Sequence, residues 1–432
     1  MRAIRPALPL AAALLAACRA SPPSASASVS ASASVSASAS ASVSASAWPE
    51  LPRTPEAAAE LIQRRTTRPP GTATELTPER ILEAAERYGW GTLVSGDDNV
   101  VAWLQAFLDR ATAAGHEGVL LFGTYHDAGG QVDAFRRLVG PGGLKQLSLI
   151  AVEQFRATGA WLGVPEAAQR GDDAEIAAYL LGGDGAAFAA LARRHAEGDY
   201  AAWKFGYAPS VMELLVTARA TGTAFIGCDL PGAAQKLAGA VAEEDRLRLR
   251  EIHCQQAIAG RAGSAPPRVA MLWGQAHVRP GGLRRFLPAS ADVLSVSLFG
   301  FRADGMGAEA KLKERLVILD PVLIPLDPTG TEAALLLPDA VLGGDVDRSI
   351  STEPASTGLH VRVEGSGRFL LGDRSFPLGP APRSIERRPE DRSFALEAGG
   401  VRFLGALGDA GAIELDIDPK RRALTRVEHP RP

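Results

Sequence analysis

Three apolar runs of this chain each end at a residue that can bind a metal ion or transfer a proton. The runs lie at 119–126, 149–153 and 269–277. Their last residues are His126, Glu153 and His277, and imidazole and carboxylate groups serve as general acids, general bases and metal ligands. We predict that each run is a buried strand that stops where this residue begins a loop. Because the carboxyl ends of the strands in an open parallel sheet meet at one edge, the three side chains could share one pocket.

Three further polar residues extend this candidate site. Asp127 follows His126 and could fix the tautomer of its ring. Arg279 lies two residues after His277, where it could bind an acidic group or be a solvated surface residue. Asp229 ends a fourth apolar run and could either belong to the site or cap the N-terminus of the next helix. Four successive runs with such an ending favour a shared site.

Simpler structural roles compete with chemistry at each position. A carboxylate at the end of an apolar strand is costly unless it is paired, hydrogen-bonded or metal-bound. Glu153 could therefore form a salt bridge with Arg156, or it could be a general base with a raised pKa or a metal ligand. His126, taken alone, could equally cap a helix or lie at the surface. Gly123 suits a tight turn or the close approach of a ligand.

Strands and helices alternate around these residues. Strands are predicted at 119–123, 147–153, 223–229, 268–274 and 292–299. Helices are predicted at 54–64, 77–88, 97–114, 130–139, 165–196 with a break at 182–183, 209–220, 233–259 and 281–287. Thr77 followed by Pro78 is typical of a helix start. The alternation predicts an α/β fold with a mostly parallel sheet flanked by helices.

The composition changes after about residue 300. The segment 316–320 is either one more strand of the α/β unit or a link out of it. From residue 333 onward, short β-like runs that begin with 335–337 are separated by Gly, Pro and Asp, which predicts a small all-β region. His360 and His429 lie there without a cluster of ligand-type residues. We divide the folded part into an N-terminal helical segment, an α/β domain and a β-rich C-terminal region, at 48–117, 118–320 and 321–432.

The first 47 residues have a different composition. Arg2 and Arg5 precede an apolar, Ala- and Leu-rich stretch with the charge and length of a secretory signal. The stretch ends at Cys18 in a run that resembles the bacterial lipobox. We predict a lipoprotein signal peptide over 1–18 with lipidation of Cys18, and an ordinary cleaved signal is the alternative. Residues 19–47 are almost wholly Ser and Ala and are expected to be a disordered tether with a root-mean-square reach of roughly 30 Å.

These features predict an exported, membrane-anchored lipoprotein. Arg19 follows the lipobox Cys where Asp would suggest retention at the inner membrane, so the outer membrane is favoured, with the periplasmic or surface face left open. The net charge is −3, which provides no basic excess for binding nucleic acid. The expected partners are a membrane, through the anchor, and a small-molecule ligand. The oligomeric state stays open.

Two further cysteines, Cys228 and Cys254, lie in apolar surroundings. An oxidising compartment would permit a disulfide between them, but sequence does not show whether they are close. Two buried thiols are the equal alternative.

Five short runs, taken in order, resemble the ChaN family of haem-binding or iron-uptake lipoproteins. That family belongs to a superfamily with Tiki, TraB and the erythromycin esterases. The resemblance covers roughly residues 118–299 and rests on the order and spacing of the runs. The runs are Gly123-Thr-Tyr-His126-Asp127, Val152-Glu153-Gln-Phe155, Trp203-Lys-Phe-Gly-Tyr207-Ala-Pro209, Ala224-Phe-Ile-Gly-Cys228-Asp229-Leu-Pro231 and Gly274-Gln-Ala-His277-Val-Arg279.

One position departs from the superfamily pattern. The pattern begins with Gly-Glu-x-His, has a Glu after the second strand and ends with Gly-x-x-His. His126, Glu153 and His277 match it by position, whereas Thr124 stands where the pattern has its first Glu. In the hydrolytic relatives this acid belongs to the metal or acid–base set. A divalent metal would therefore lose one carboxylate ligand here.

The resemblance implies haem or a divalent metal (Mn, Zn or Fe) as the cofactor. Haem iron can be held by His or by Tyr, and the choice among Tyr125, His126 and Tyr207 stays open. The ligands that the resemblance implies for a metal or haem are Tyr125, His126, Glu153, Tyr207, Asp229 and His277.

Three functions compete on this basis. We favour an envelope lipoprotein that binds haem or a metal or iron chelate, because Thr124 replaces the pattern's acid. The alternative is an ester or peptide hydrolase of the Tiki or erythromycin esterase type, with His126, Glu153 and His277 as catalytic residues, with or without a metal. A non-catalytic scaffold that uses the C-terminal region to bind a partner ranks third.

Overall fold

The computed structural model describes residues 48–69, 76–125, 129–197, 207–239, 241–260, 267–279, 281–300, 308–338, 345–352, 358–408 and 410–430. The strands of these residues form one eight-stranded sheet and two five-stranded sheets. Within the same residues, no helix is both long and apolar enough to cross a membrane.

The eight-stranded sheet carries the strand ends of interest. Its order is β1-β8-β9-β6-β2-β5-β3-β4, and β7 belongs to another sheet. The strands up to β9 are β1 (Val94–Ser95), β2 (Gly118–Thr124), β3 (Leu149–Arg156), β4 (Ala224–Asp229), β5 (Arg268–Gly274), β6 (Asp292–Phe299), β7 (Leu316–Ile318), β8 (Val322–Pro325) and β9 (Glu332–Leu336).

This sheet is mostly parallel, as the alternation of strands and helices predicts. The pairs β9/β6, β6/β2, β2/β5, β5/β3 and β3/β4 are parallel. It is nevertheless a mixed sheet, because β8 runs antiparallel to both β1 and β9. Only six residues separate β8 from β9, from 326 to 331, and a connection of that length makes a hairpin and not a parallel crossover.

Helices cover this sheet. They are α1 (Pro55–Arg65), α2 (Pro78–Tyr88), α3 (Asp97–Ala113), α4 (Gly129–Val139), α5 (Glu166–Gln169), α6 (Asp173–Gly182), α7 (Gly185–Glu197), α8 (Tyr207–Thr221), α9 (Gly232–Leu237), α10 (Glu243–Ala259), α11 (Gln275–Val278) and α12 (Ala308–Arg315). The predicted start at Thr77 is confirmed, since its hydroxyl accepts the Arg80 N–H at 3.2 Å and Pro78 is the first helical residue. The predicted break at 182–183 is also confirmed, because Gly183 ends α6 in the left-handed conformation.

Three of the predicted helices are wrong in extent. The one expected over 165–196 has a further break at 170–172, between α5 and α6. The single helix expected over 233–259 is two helices, α9 and α10, which the segment 238–242 separates. The helix expected over 281–287 is only a 3₁₀ turn at Leu283–Arg285. Gly239 lies in the break between α9 and α10, and Gly282 precedes the 3₁₀ turn. Glycine destabilises a helix interior, which accounts for the shorter elements at both places.

Strand β2 shows why both faces of the sheet are covered. All seven of its residues are buried. Leu120 and Phe122 lie in the apolar core on one face, whereas Val119 and Leu121 lie in the core on the other face. A strand that is buried on both faces has a continuous apolar run, and this is the pattern that makes the strand visible in the sequence.

The C-terminal region is a β-sandwich. One sheet has the order β10-β18-β17-β11-β14 and the other β13-β12-β15-β16-β7. Phe369 and Phe403 of one sheet share an apolar core with Val361 and Leu415 of the other. The strands are β10 (Asp345–Ile350), β11 (Gly358–Val363), β12 (Gly367–Leu371), β13 (Arg374–Leu378), β14 (Arg383–Ile385), β15 (Ser393–Ala398), β16 (Val401–Ala406), β17 (Ala412–Asp418) and β18 (Ala423–His429).

The chain passes between the two parts differently from the prediction. The run at 335–337, expected in the all-β region, lies largely in β9 of the first sheet, where Leu336 pairs with Phe299. Strand β7 instead joins the sandwich, because it pairs with β16. The burial pattern gives the reason: four of the five β9 residues are fully buried, as in an interior strand, whereas β11 alternates between buried and more exposed residues.

Candidate active site at the carboxyl edge of the sheet

A bulge in β3 positions Glu153. Val152 pairs with Gly227 of β4, and the next pair is Arg156 with Asp229, so β3 contains two extra residues. The β3/β5 pairing also ends at Val152. Glu153 then extends across to β5, where its Oε2 accepts the backbone N–H of Gly274 at 2.5 Å. The carboxylate therefore replaces a strand partner at the point where the ladder stops.

Gly227 makes room for this bulge. A Cβ at that position would lie 2.6 Å from the carbonyl carbon of Phe155, which is closer than non-bonded carbon atoms approach. Any larger residue would push the bulge away from β4, and Glu153 would move with it.

Two glycines hold the turn that carries His277. The turn is α11, which follows Gly274 directly. A Cβ on Gly123 would lie 2.2 Å from Gln275 Oε1, and a Cβ on Gly282 would lie 2.1 Å from the His277 carbonyl oxygen. The sequence predicted a tight turn or the close approach of a ligand at Gly123, whereas the structure shows the close approach of another protein segment.

His277 lies between two carboxylates. Its Nδ1 donates to Glu251 Oε1 at 2.7 Å, and its Nε2 is 3.5 Å from Glu153 Oε1. The side chains of His277 and Glu153 are each 3% exposed and that of Glu251 is fully buried. Burial disfavours the charged imidazolium, but hydrogen bonds and charges from Glu153 and Glu251 outweigh it and raise the pKa of His277 to about 9. His277 is therefore protonated on both ring nitrogens at neutral pH.

Arg250 connects Glu153 to Asp229, which ends β4. Its Nη2 donates to Glu153 Oε1 at 2.5 Å and its Nε donates to Asp229 Oδ1 at 2.6 Å. Burial raises the pKa of Asp229, and the charge of Arg250 and its hydrogen bond oppose that effect. Asp229 also accepts the N–H of Leu230 at 2.7 Å. It does not cap the next helix, because Pro231 occupies the N-cap of α9 and no side chain caps it.

Charge balance makes this burial tolerable. Arg248 donates to both oxygens of Glu251 at 2.7 Å. The network thus contains three acidic groups, Glu153, Asp229 and Glu251, and three cationic groups, Arg248, Arg250 and His277. Buried charges are retained when they are paired and hydrogen-bonded.

A disulfide fixes the two elements that supply most of these charges. Cys228 of β4 and Cys254 of α10 are bonded, with their Cα atoms 4.5 Å apart, and both are fully buried. Cys228 adjoins Asp229, and Cys254 lies one helical turn after Arg250. Of the two alternatives that the sequence left open, the structure contains the disulfide.

Helix α10 carries another buried histidine, whose pKa is shifted in the opposite direction from that of His277. Trp161 Nε1 donates to His253 Nδ1 at 2.9 Å, and His253 Nε2 lies 3.0 Å from the Ala157 carbonyl oxygen. Burial lowers the pKa of His253 to about 4, although the bond to Ala157 opposes the shift. Since no carboxylate faces this ring among the contacts of the described residues, we assign it to packing.

The contacts given above involve none of the remaining sequence candidates. Thr124 ends β2 and is buried; Tyr125 follows the strand, and its N–H donates to Gln131 Oε1 at 2.8 Å. Arg279 is exposed. Cys18, His126, Asp127 and Trp203 lie outside the described residues, as does the side chain of Tyr207.

Sequence reasoning missed the contribution of α10. Arg248, Arg250 and Glu251 lie within the helix predicted over 233–259 and none of them was assigned to the site, yet they complete it. The apolar residues Leu249 and Ile252 are fully buried and flank Arg250 and Glu251 in the sequence. The apolar residues on either side were the sequence feature that could have indicated that Arg250 and Glu251 face the protein interior.

A divalent metal does not fit the described residues. Among them, no group of three or more His, Cys, Asp or Glu side chains is arranged to hold one. The Glu153 carboxylate already receives Arg250 and the Gly274 N–H, so a guanidinium takes the place that a cation would need.

Comparisons with known proteins give limited similarity. No family model matches the chain. Over 111 residues, 25% of this chain, it is 32% identical to the ribosomal RNA small subunit methyltransferase H of Mycolicibacterium smegmatis. The match spans 29% of that protein, too little to show membership of its family.

A solved structure also shows partial similarity. It is the crystal structure of RRSP, a MARTX toxin effector domain from Vibrio vulnificus CMCP6, with a TM-score of 0.27 and 17% identity. The match covers 55% of this chain and 40% of the other. At that TM-score the similarity supports no conclusion about fold or function.

Proposed function

We propose that this protein is a hydrolase of ester or amide bonds that uses Glu153 and His277 as an acid–base pair. The observation that carries the proposal is the position of His277, with Glu251 on one ring nitrogen and Glu153 facing the other. Two carboxylates around a protonated imidazole, at the carboxyl edge of a mostly parallel sheet, form a proton-transfer arrangement in the place where such folds bind ligands.

The chemistry can be written so that protons balance. Water attacks the carbonyl carbon while the Glu153 carboxylate accepts a proton from it. The bond to the leaving group then breaks, and the His277 imidazolium donates its Nε2 proton to the departing oxygen or nitrogen. Glu153 finally returns its proton to Nε2 across the 3.5 Å separation, which restores both groups.

Two neighbours keep this pair in the correct state. Glu251 accepts from Nδ1 and so orients the ring, with Nε2 towards Glu153. Arg250 and the Gly274 N–H hold the Glu153 carboxylate in place, and Arg250 stabilises its charged form between proton transfers.

Haem binding, the function that the ChaN resemblance implies, requires a different protonation state of a histidine ligand. An imidazole that binds iron must offer a nitrogen without a proton. Both nitrogens of His277 face carboxylates, and the raised pKa keeps them protonated. The geometry therefore supports acid–base chemistry at His277 better than ligation, and a haem site would depend on Tyr125, His126 or Tyr207.

Hydrolysis of p-nitrophenyl butyrate by the purified protein tests the proposal. We expect His277→Gln and Glu153→Gln to lower kcat/KM by about 10² or more. His360→Gln, a change on strand β11 of the sandwich, is the matched control and should keep wild-type activity. Wild-type kcat should fall as the pH rises through about 9, because His277 loses the proton that it donates.

Three results would overturn the proposed hydrolase function. They are the absence of hydrolysis, full activity in folded His277→Gln, and a wild-type rate that stays level across pH 9. Haemin titration distinguishes the competing function: a shifted Soret band that substitution of Tyr125, His126 or Tyr207 abolishes, without hydrolysis, would assign haem binding instead.

We further propose that the chain acts at the cell envelope. The lipobox-like run at Cys18 supports this location, and the Cys228–Cys254 disulfide is of the kind found in oxidising compartments. Membrane fractionation of Cys18→Ser provides the test, since partition of that variant with membranes would contradict lipid anchoring.

A further inference from the structure

A small cavity adjoins the buried network at Arg250. It has a volume of about 160 Å³ and lies between α9 and the first half of α10. Leu230, Leu247 and Leu249 form an apolar part of its wall. Arg250 also lines it while bonding to Glu153 and Asp229, so the cavity and the proposed catalytic carboxylate share one guanidinium.

Arg246 contributes a second cation to this cavity. It is half-buried, lines the wall and makes no ion pair with a carboxylate within the part of the chain that the structure describes. A partly desolvated guanidinium without an acidic partner is a natural receptor for a carboxylate or another planar anion. Arg246 and Arg250 are four residues apart on α10, so they lie on one face about one turn apart.

Glu243 limits the negative charge of an anion that the cavity can bind. It lines the same cavity and is exposed. Its charge opposes that of Arg246, so the cavity suits a single negative charge better than a multiply charged group such as a phosphate monoester.

We propose that this cavity receives a carboxylate of the substrate, held by Arg246, with the adjoining apolar atoms against the three leucines. This inference rests on the proposed hydrolase function and adds a substrate class: esters or amides of dicarboxylic acids, in which a second carboxylate lies a few atoms from the scissile carbonyl. Arg250 then marks the boundary between the anion-binding part and the reacting part of the substrate.

Calorimetric titration with glutarate tests the cavity independently of catalysis. Wild-type protein should bind glutarate, and Arg246→Gln should weaken binding by about tenfold or more, because a charge-assisted hydrogen bond is lost. Arg193→Gln, which removes an exposed arginine of α7, should bind as wild type does. Glu243→Gln should bind more tightly, since it removes the opposing charge.

A pair of esters tests the substrate class. The ratio of kcat/KM for mono-p-nitrophenyl glutarate to that for p-nitrophenyl butyrate should exceed one in the wild type. The ratio should fall about tenfold in Arg246→Gln, and Arg193→Gln should keep it.

The two proposals can fail separately. Glutarate binding that depends on Arg246, with neither ester hydrolysed, overturns the hydrolase and leaves the cavity assignment standing. Hydrolysis of the neutral ester, without glutarate binding or without a preference for the anionic ester, overturns the cavity assignment alone. Equal glutarate affinity in wild type and Arg246→Gln also overturns it.

Discussion

The α/β sheet edge and the β-sandwich use charged pairs in different ways. In the sandwich, Arg362 and Asp416 pair across neighbouring strands with side chains 50% and 41% exposed. At the sheet edge, Glu153 and Glu251 are at most 3% exposed and face a protonated His277. Exposed pairs contribute little to stability, and buried pairs often contribute less than apolar residues of the same size. Stability alone therefore does not explain why charges are buried at the sheet edge, whereas proton transfer in a reactive site requires them.

The sandwich does contain buried charge, but of another kind. Asp391 is 5% exposed and accepts from the Arg374 guanidinium and from the backbone N–H of Arg388 at 2.6 Å. That carboxylate stabilises a turn of the backbone. At the sheet edge the buried carboxylates instead surround a titratable ring, an arrangement that suits proton transfer.

Removal of Glu251 should have the largest effect. Glu251→Ala leaves His277 and Arg248 without their shared partner, and breaking a buried pair on one side costs about 3–5 kcal/mol. The free energy of unfolding from urea denaturation provides the measurement. Glu244→Ala changes an exposed acid on the same helix and should cost far less. Equal losses in the two variants would contradict the contrast between buried and exposed charge.

The disulfide should rank next. Replacing Cys228 and Cys254 by serine removes a link between residues 26 apart in sequence. The chain-entropy model assigns such a link about 3–4 kcal/mol. The sandwich contains no cysteine and should lose none of its own stability. Hydrogen exchange can check this, because faster exchange should appear in β4 and α10 and not in β15 or β16. Uniformly faster exchange would show that the two regions unfold as one unit.

Alkaline pH should weaken the sheet edge. The pKa of His277 is raised from 6.5 to about 9 in the folded state, so its contribution is complete below about pH 6.5 and is lost as the pH rises through about 9. The loss should amount to about 3 kcal/mol. Stability curves between pH 6 and 10 measure it, with His277→Gln as the control. Parallel curves for the two proteins would refute the assignment of His277 as a buried cation.

The smallest effect should come from the sandwich surface. Asp416→Ala removes the exposed partner of Arg362 and should cost below about 1 kcal/mol. The loss should shrink further at high salt, since exposed charges are screened. Thermal or urea unfolding at low and high ionic strength measures both the cost of Asp416→Ala and its dependence on salt. A cost comparable with that of Glu251→Ala would remove the distinction between the two regions.

The sequence was most informative where strands are buried on both faces. Such strands leave continuous apolar runs, so the apolar part of β3, the end of β4 and the turn after β5 could be located from the sequence alone. Strand β3 nevertheless continues to Arg156, beyond the predicted end at Glu153. Glu153, Asp229 and His277 were identified for that reason, and the structure brings them into one network. The mostly parallel sheet and the all-β C-terminal region follow from the same patterns.

What sequence could not provide depends on packing between distant segments. Glu251 and Arg250 lie in a charge-rich helix, and charge alone is typical of a solvated face. Only the docking of α10 on β4 shows that they point inward. The β3 bulge has no local signal either, since it depends on Gly227 of another strand. The partner strand of β9 was equally undetermined, because pairing is a property of the whole sheet.

The disulfide between Cys228 and Cys254 has a consequence for how the chain is made. Their Cα atoms lie 4.5 Å apart because α10 rests on β4, and a helix that had not docked would leave the two thiols apart. We therefore expect docking to promote formation of the bond, which then prevents the helix from leaving. A newly made chain whose thiols remain reactive would be one in which Arg250 and Glu251 had not yet reached Glu153 and His277. Thiol labelling during refolding would thus report when the charged network is completed.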